Sequence, residues 1–334
     1  MKHKYITFSK NIFIPVTNVC RDACEYCGFR ARSFDDAYLT GIKEFLALLK
    51  TKGAATEALF TAGEKPELAN LSSFFEKKIL DSGYSSMLEY TKDLCKLAIK
   101  HGLLPHCNLG VLSREELNEL REVNASMGLM LETTAELEAH KNSPGKKPEE
   151  RLKMIADAGK LEIPFTTGLL IGIGEKPRDR IRSLEAIKSL HGKYGHIQEV
   201  IIQPFVPKPS TAMWNKKPPV FEELKEVVRV ARETLPEEVA IQVPPNLASP
   251  KELIELGASD MGGISEKTMD YINPESPWPT EEELRRIIAP FELRERLPIY
   301  PRFIKMGWYS EEIRPLIERY ADEEGLRLRR KERI

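Results

Sequence analysis

The sequence predicts a (β/α)8 barrel of the TIM type with a C-terminal helical extension packed on it, and three observations lead there. Eight short apolar runs alternate with amphipathic stretches. Continuous apolar runs suit parallel strands covered on both sides. Polar or glycine-containing residues follow the runs, where barrel enzymes place their chemistry. An open doubly wound sheet is the alternative arrangement of the same units.

The runs occupy 11–16, 58–61, 103–107, 127–131, 165–173, 199–205, 239–243 and, more weakly, 258–263. Helix-like segments lie between them at 41–52, 86–101, 115–123, 148–158, 178–191, 221–234 and 250–256. Ser113 with Glu116 reads as a capping box, and Thr280 with Glu283 caps a helix in the tail. Gly102, Gly159 and Gly257 stand where left-handed helix terminators are expected. The barrel is expected to span 1–270. Residues 271–334, which begin with a stretch holding Pro274, Pro277, Trp278 and Pro279, read as an extension rather than an independent domain. Cys95, Cys107, Trp278 and Trp308 read as packing residues.

Composition narrows the function. The chain has 334 residues, 41% of them hydrophobic, with 50 basic and 51 acidic side chains and a net charge of −1. No global field recruits nucleic acid or an anionic membrane. No run reaches transmembrane length, and the opening residues lack the features of a signal peptide. Free thiols fit a reducing compartment, so a cytoplasmic protein is expected.

Three cysteines within eight residues, Cys20, Cys24 and Cys27, directly follow the first run. Arg21, Asp22 and Glu25 make this a polar loop rather than a core segment. Three thiolates can hold three irons of a cubane cluster and leave the fourth open, whereas an electron-transfer cluster normally takes four protein ligands. A structural zinc site wants four ligands, and a disulfide would strand an odd thiol. Zinc remains the main alternative.

Cys-x-x-x-Cys-x-x-Cys after the first strand, with Tyr26 before the third cysteine, resembles the signature of the radical S-adenosylmethionine (SAM) superfamily. The segments KNIFIPVTNVC at 10–20, FTAGEKPE at 60–67, LPHCN at 104–108, ASMGLMLE at 125–132, TGLLIGIGE at 167–175 and LGASDMGGIS at 256–265 narrow it. Together they resemble the deazaflavin chromophore (FO) synthase subunit 1 family over nearly the whole chain. The resemblance implies a 4Fe–4S cluster on Cys20, Cys24 and Cys27, with S-adenosylmethionine chelated to the open iron. It further implies that a 5′-deoxyadenosyl radical takes hydrogen from the hydroxybenzyl adduct of 5-amino-6-ribitylaminouracil. Ring closure with loss of ammonia would then yield 7,8-didemethyl-8-hydroxy-5-deazariboflavin. Implied partners are FO synthase subunit 2, which makes the adduct from tyrosine, and an electron donor such as ferredoxin or flavodoxin. The hard chemistry belongs to the cofactor, so no Ser-His-Asp set is needed. The sequence singles out no group for ammonia loss.

Site residues follow from the same resemblance. Tyr26 sits beside the cluster ligands. Gly63, Glu64 and Lys65 stand where the superfamily has Gly-Gly-Glu-Pro, which receives the cofactor's amino group. Ala62 in place of a glycine and the inserted Lys65 depart from that pattern, and a plain strand-to-helix turn is the competing reading. Glu132 is implied at the ribose or amino group of the cofactor, or else caps a helix. Gly168, Gly172 and Gly174 are implied to line the adenine pocket, or else serve strand packing. His106, Asn108, Gln203 and Asp260 are candidate contacts for a ribityl chain and a pyrimidinedione, with a satisfied core histidine competing at His106.

Three other functions compete. One is another radical enzyme of similar architecture: the tyrosine-using subunit, a menaquinone-pathway enzyme, biotin synthase or a hydrogenase maturase. The second is a non-catalytic zinc or iron–sulfur module. The third, an RNA-modifying radical enzyme, is opposed by the neutral charge.

Overall fold

In the computed structural model, which describes residues 5–329, eight parallel strands close into a barrel. They are β1 (Ile6–Thr17), β2 (Glu57–Ala62), β3 (Leu104–Asn108), β4 (Ser126–Gly128), β5 (Phe165–Ile171), β6 (Ile197–Pro204), β7 (Ala240–Gln242) and β8 (Asp260–Ile264). Closure runs through β1, which pairs with β2 from Asn11↔Glu57 to Thr17↔Ala62 and with β8 from Thr7↔Asp260 to Lys10↔Ile264. Helices α1 (Ile42–Lys50), α2 (Ser72–Asp81), α3 (Met87–Lys100), α4 (Arg114–Arg121), α5 (Pro148–Lys160), α6 (Pro177–Tyr194), α7 (Phe221–Thr234), α8 (Pro250–Glu255) and α9 (Glu281–Ile288) accompany the strands. The main core holds outward side chains such as Ile12, Ile14 and Val16 of β1 together with helix residues such as Phe45 and Leu94. Among the described residues no helix is long and apolar enough to cross a membrane.

All eight expected strands form, with four local differences. β1 starts at Ile6 rather than 11, because Thr7 and Ser9 alternate with buried Ile6 and Phe8 and turn inward to a polar floor. β4 ends at Gly128, since Leu131 N–H donates to the Thr167 hydroxyl (3.2 Å) and Glu132 turns to φ 64°. Gly159 lies inside α5, where a Cβ would come within 2.6 Å of Tyr194, so close helix packing selects it; Gly102 (φ 75°) and Gly257 (φ 117°) do take the left-handed form. Helix α2 has no sequence counterpart, because it buries only Phe75 and Ile79.

The tail also differs from the all-helical extension. After α9 the chain adds β9 (Leu293–Glu295), parallel to the start of β1 from Ile6↔Leu293 to Phe8↔Glu295. Then come α10 (Pro301–Met306) and α11 (Arg314–Tyr320). Leu297, Ile299, Phe303 and Ile317 form a second apolar cluster against Leu104 and Ala125 of the barrel.

This tail seals the barrel floor. Arg296 is buried with Nε 2.6 Å and Nη2 2.9 Å from the Asp260 carboxylate, and Nη2 lies 3.1 Å from Glu199. The Tyr300 hydroxyl donates to Glu199 (2.7 Å), and the Arg296 guanidinium lies over the Tyr300 ring at 4.3 Å. Ser9 donates to Glu57 at 2.6 Å. Burial outweighs that bond and the Arg296 charge, raising the Glu57 carboxyl from an ordinary 4.5 to about 7. The folded state therefore binds this proton more tightly than the unfolded chain does. The resulting stability is complete below pH 4.5 and disappears as pH rises through 7. Glu57→Gln is expected to abolish that loss, roughly 3 kcal/mol, in urea titrations at pH 5 and pH 8. Parallel losses in variant and wild type would refute the assignment.

Candidate active site at the barrel mouth

The cysteine loop leaves β1 at the C-terminal end of the barrel and is pinned on two sides. Toward the β2 turn, Arg21 N–H donates to Glu64 O (2.9 Å). Toward the segment before α5, Ala23 N–H donates to Asn142 O (3.1 Å), Glu25 N–H to Ala139 O (3.0 Å), and Gly145 N–H to the Asp22 carboxylate (2.9 Å). Gly63 is required by contact: a Cβ there would lie 2.1 Å from Val19 O and 2.8 Å from Cys20 Cβ.

All three cysteines line one cavity of about 340 Å³. Its walls include Phe13, Leu129, Met130, Leu170, Ile201 and Phe205, with Arg30, Lys146, Arg151 and Lys208 as cations. Two sulfurs already accept hydrogen bonds: Cys20 Sγ from Glu64 N–H and Cys24 Sγ from the Ser143 hydroxyl, both at 3.2 Å. Such bonds are what thiolate ligands of a cluster receive, and they tune its potential. Burial pushes the Cys20 thiol up to about 12 and the Cys24 thiol up to about 11, so a metal must displace both protons. Among the described residues no three Cys, His, Asp or Glu side chains converge as a single ion requires. A cubane spreads three thiolates over three irons and does not need them to. The donor set fits the cluster.

Beside the cysteines stands a buried charged group. The Glu132 carboxylate accepts from the Tyr26 hydroxyl and from Lys146, and His140 Nε2 lies 3.1 Å away. Burial alone would raise its pKa, but Lys146, His140 and Arg151 together hold it well below the usual carboxylate range. Arg151 donates to Gly145 O (2.8 Å) and to Met130 O, and lies 3.8 Å from Glu64.

The sequence-derived residues fall into three groups. Cys20, Cys24, Tyr26, Cys27, Gly63, Glu64, Asn108, Glu132 and Gln203 line the upper cavity. His106 joins Asn108 and Gln203 lower in the lumen, in a lobe of about 170 Å³ that shares Phe13, Leu59 and Ile201 with the upper one. The rest stand apart. Lys65 (φ 42°) turns its ammonium to Glu116, 2.6 Å away, rather than to the cavity. Asp260 is saturated by Arg296, Thr7 and Gly262 N–H at the floor. Gly168, Gly172 and Gly174 are outside the cavity lining. A Cβ on Gly168 would strike Ile201 O at 2.4 Å, and one on Gly172 would meet Pro219 at 2.8 Å, which is tight packing. Glu64 itself is engaged by Arg21 (2.8 Å) and Val111 N–H (3.0 Å).

Sequence reasoning missed His140, Ser143, Lys146, Arg151 and Lys208. The first three sit in a Pro- and Gly-containing segment after the fourth strand, on the face where barrel chemistry gathers, and that position was the available signal. Lys208 lines the upper cavity while donating to Asn273 (2.8 Å) and Glu275, contacts with no trace in local sequence.

A parallel barrel whose mouth presents three cysteines to a cavity defines a radical SAM protein, and residues 14–187 match the sequence profile of the Radical SAM superfamily. Two curated relatives carry the name 7,8-didemethyl-8-hydroxy-5-deazariboflavin synthase. The protein from Archaeoglobus fulgidus is 53% identical over 324 residues, 96% of this chain and 98% of its own. That from Methanococcoides burtonii is 54% identical over 327 residues, 97% of this chain and 98% of its own. The chain belongs to the 7,8-didemethyl-8-hydroxy-5-deazariboflavin synthase family. Solved structures agree on the fold. The FeFe-hydrogenase maturase HydG from Carboxydothermus hydrogenoformans superposes with a TM-score of 0.68 at 18% identity, covering 89% of this chain and 69% of that one. Methylornithine synthase (PylB) gives 0.62 at 17% identity, covering 94% and 86%.

Proposed function

We propose that this chain makes 7,8-didemethyl-8-hydroxy-5-deazariboflavin as the ring-closing, ammonia-releasing lyase subunit, acting on the hydroxybenzyl adduct of 5-amino-6-ribitylaminouracil. The observation that carries the reading is the three-cysteine cavity in a chain 53% identical to synthases of that name over nearly its full length. Cys20, Cys24 and Cys27 would hold a 4Fe–4S cluster. When bound, the cluster and S-adenosylmethionine supply an electron and a hydrogen-abstracting radical. Lys146 and Arg151, two of the cavity's cations, would receive the carboxylate of S-adenosylmethionine, and Glu132 stands beside them as a counter-charge. Leu129, Leu170 and Phe205 keep water from a reactive centre. Gly63 lets the 62–64 backbone approach the cluster loop. The adduct would occupy the lumen below, among His106, Asn108 and Gln203. A tyrosine-using radical partner would supply it, and a low-potential protein such as ferredoxin or flavodoxin would supply electrons in the cytoplasm.

The test is direct. The anaerobically reconstituted protein is mixed with the adduct, S-adenosylmethionine and dithionite. Fluorescent deazaflavin, ammonia and 5′-deoxyadenosine are expected. Consumption of tyrosine by this chain alone would reverse the subunit assignment.

A further inference from the structure

The lower lumen holds polar groups that the fold itself does not use. Asn11 on β1 is 2% exposed and lines the lower lobe, yet neither Nδ2 nor Oδ1 of its amide has a hydrogen-bond partner among the described residues. A buried amide in that condition costs stability, on the scale of a lost hydrogen bond for each atom. Space has been kept for it. A Cβ at Gly263 of β8 would lie 2.3 Å from Asn11 Nδ2, so only glycine there leaves the amide room. Trp278 lines the same lobe, and its indole N–H likewise has no partner among the described residues.

The facing wall supplies acceptors. The Ser126 hydroxyl spends its proton on Pro298 O (2.7 Å), so at 2.7 Å from His106 Nδ1 it can only accept. His106 therefore carries its hydrogen on Nδ1 and keeps a lone pair on Nε2. That Nε2 and Asn108 Oδ1 lie 3.1 and 2.8 Å from where a Cβ on Gly128 would be, beside a hollow left by the missing side chain. Above this tier the walls are mostly apolar, and below it the floor is closed by Arg296.

We propose that Asn11 is a substrate-binding residue that reads the imide edge of a pyrimidinedione, so the substrate lies heterocycle-down with its aromatic end toward the cysteines. A carboxamide offers one donor beside one acceptor, the complement of an adjacent N–H and C=O on such a ring. Trp278 Nε1–H and His106 Nε2 then serve the carbonyl and hydroxyl groups around it. The inference rests on the deazaflavin reading above for the identity of the heterocycle.

The experiment uses the cluster-loaded protein in three forms: wild type, Asn11→Leu, and the isosteric Asn11→Asp. It measures affinity for 5-amino-6-ribitylaminouracil by calorimetry, KM for the adduct, iron content and thermal unfolding. Both variants are expected to lose about ten- to a hundredfold in affinity, with KM raised by a similar factor and iron and S-adenosylmethionine cleavage retained. Asn11→Leu is expected to unfold at the wild-type temperature or above, because it removes an unsatisfied amide. Unchanged KM and affinity in both variants, or a fall of several degrees in Asn11→Leu, overturns the proposal. Wild type that binds the ribityluracil but forms no deazaflavin defeats the functional reading alone. Wild type that forms deazaflavin with variants that match it defeats the Asn11 assignment alone.

Discussion

Cys24→Ala is expected to abolish turnover, by more than about 100-fold, together with most of the iron. Even groups outside the ligand shell typically cost 10–100-fold when removed, and Cys24 would be a ligand itself. Its sulfur is buried, faces the cavity and already accepts the Ser143 hydroxyl at 3.2 Å, so no nearby water or side chain replaces it easily. The control is Cys95→Ala. Cys95 is buried on α3 against Cys107, 3.7 Å between sulfurs, and should leave iron content unchanged. Iron and sulfide analysis with 5′-deoxyadenosine yield decides the matter; a Cys24→Ala protein that keeps four irons and full turnover would rule out the cluster assignment. Ser143→Ala should retain the iron but lower its reduction potential, since one hydrogen bond to a thiolate sulfur is lost.

Arg296→Met is expected to produce the largest loss of stability, about 3–5 kcal/mol in denaturant titration. The guanidinium serves Asp260 and Glu199, both buried, and its removal leaves those carboxylates without a counter-charge. It is also a link between the tail and the barrel, as Arg296 N–H donates to Phe8 O at 2.7 Å. A double change, Asp260→Asn with Arg296→Met, should cost less than the sum of the two single changes, because each removes the other's unpaired charge. Additive losses would mean that the pair is not coupled.

How legible the site was follows from how local each signal is. The cysteine loop was readable because all three cysteines sit within one short loop behind a strand. The strand ends were readable because apolar continuity marks parallel strands. Glu132 was picked out because a carboxylate after Met127–Leu131 sequence has no place in a core. Its partners were not, since Tyr26, His140 and Lys146 reach it only after the 139–146 segment folds back over the cysteine loop. Gly168 and Gly172 carried an ambiguous signal. Adenine approach and backbone packing both select glycine, and the Cβ clashes with Ile201 and Pro219 show which neighbours are there. Polar residues at a strand end look alike in sequence, whichever end of the barrel they face, and only the fold gives Asp260 its partners Arg296, Thr7 and Gly262 N–H.

From the sequence by itself came the alternation of strand and helix, the three-thiol loop and the family to which the chain belongs. Those properties lie in spacing along the chain, which folding does not alter. Tertiary structure alone decided which polar residues meet. It sent Lys65 to Glu116 and Asp260 to Arg296, and it left the Asn11 amide in the lumen without a partner among the described residues. The reason is geometric: parallel strands bring residues from eight separate segments onto one axis, and only closure of the barrel, with β9 and Arg296 beneath it, determines which charges neutralise one another and which polar groups remain for a ligand.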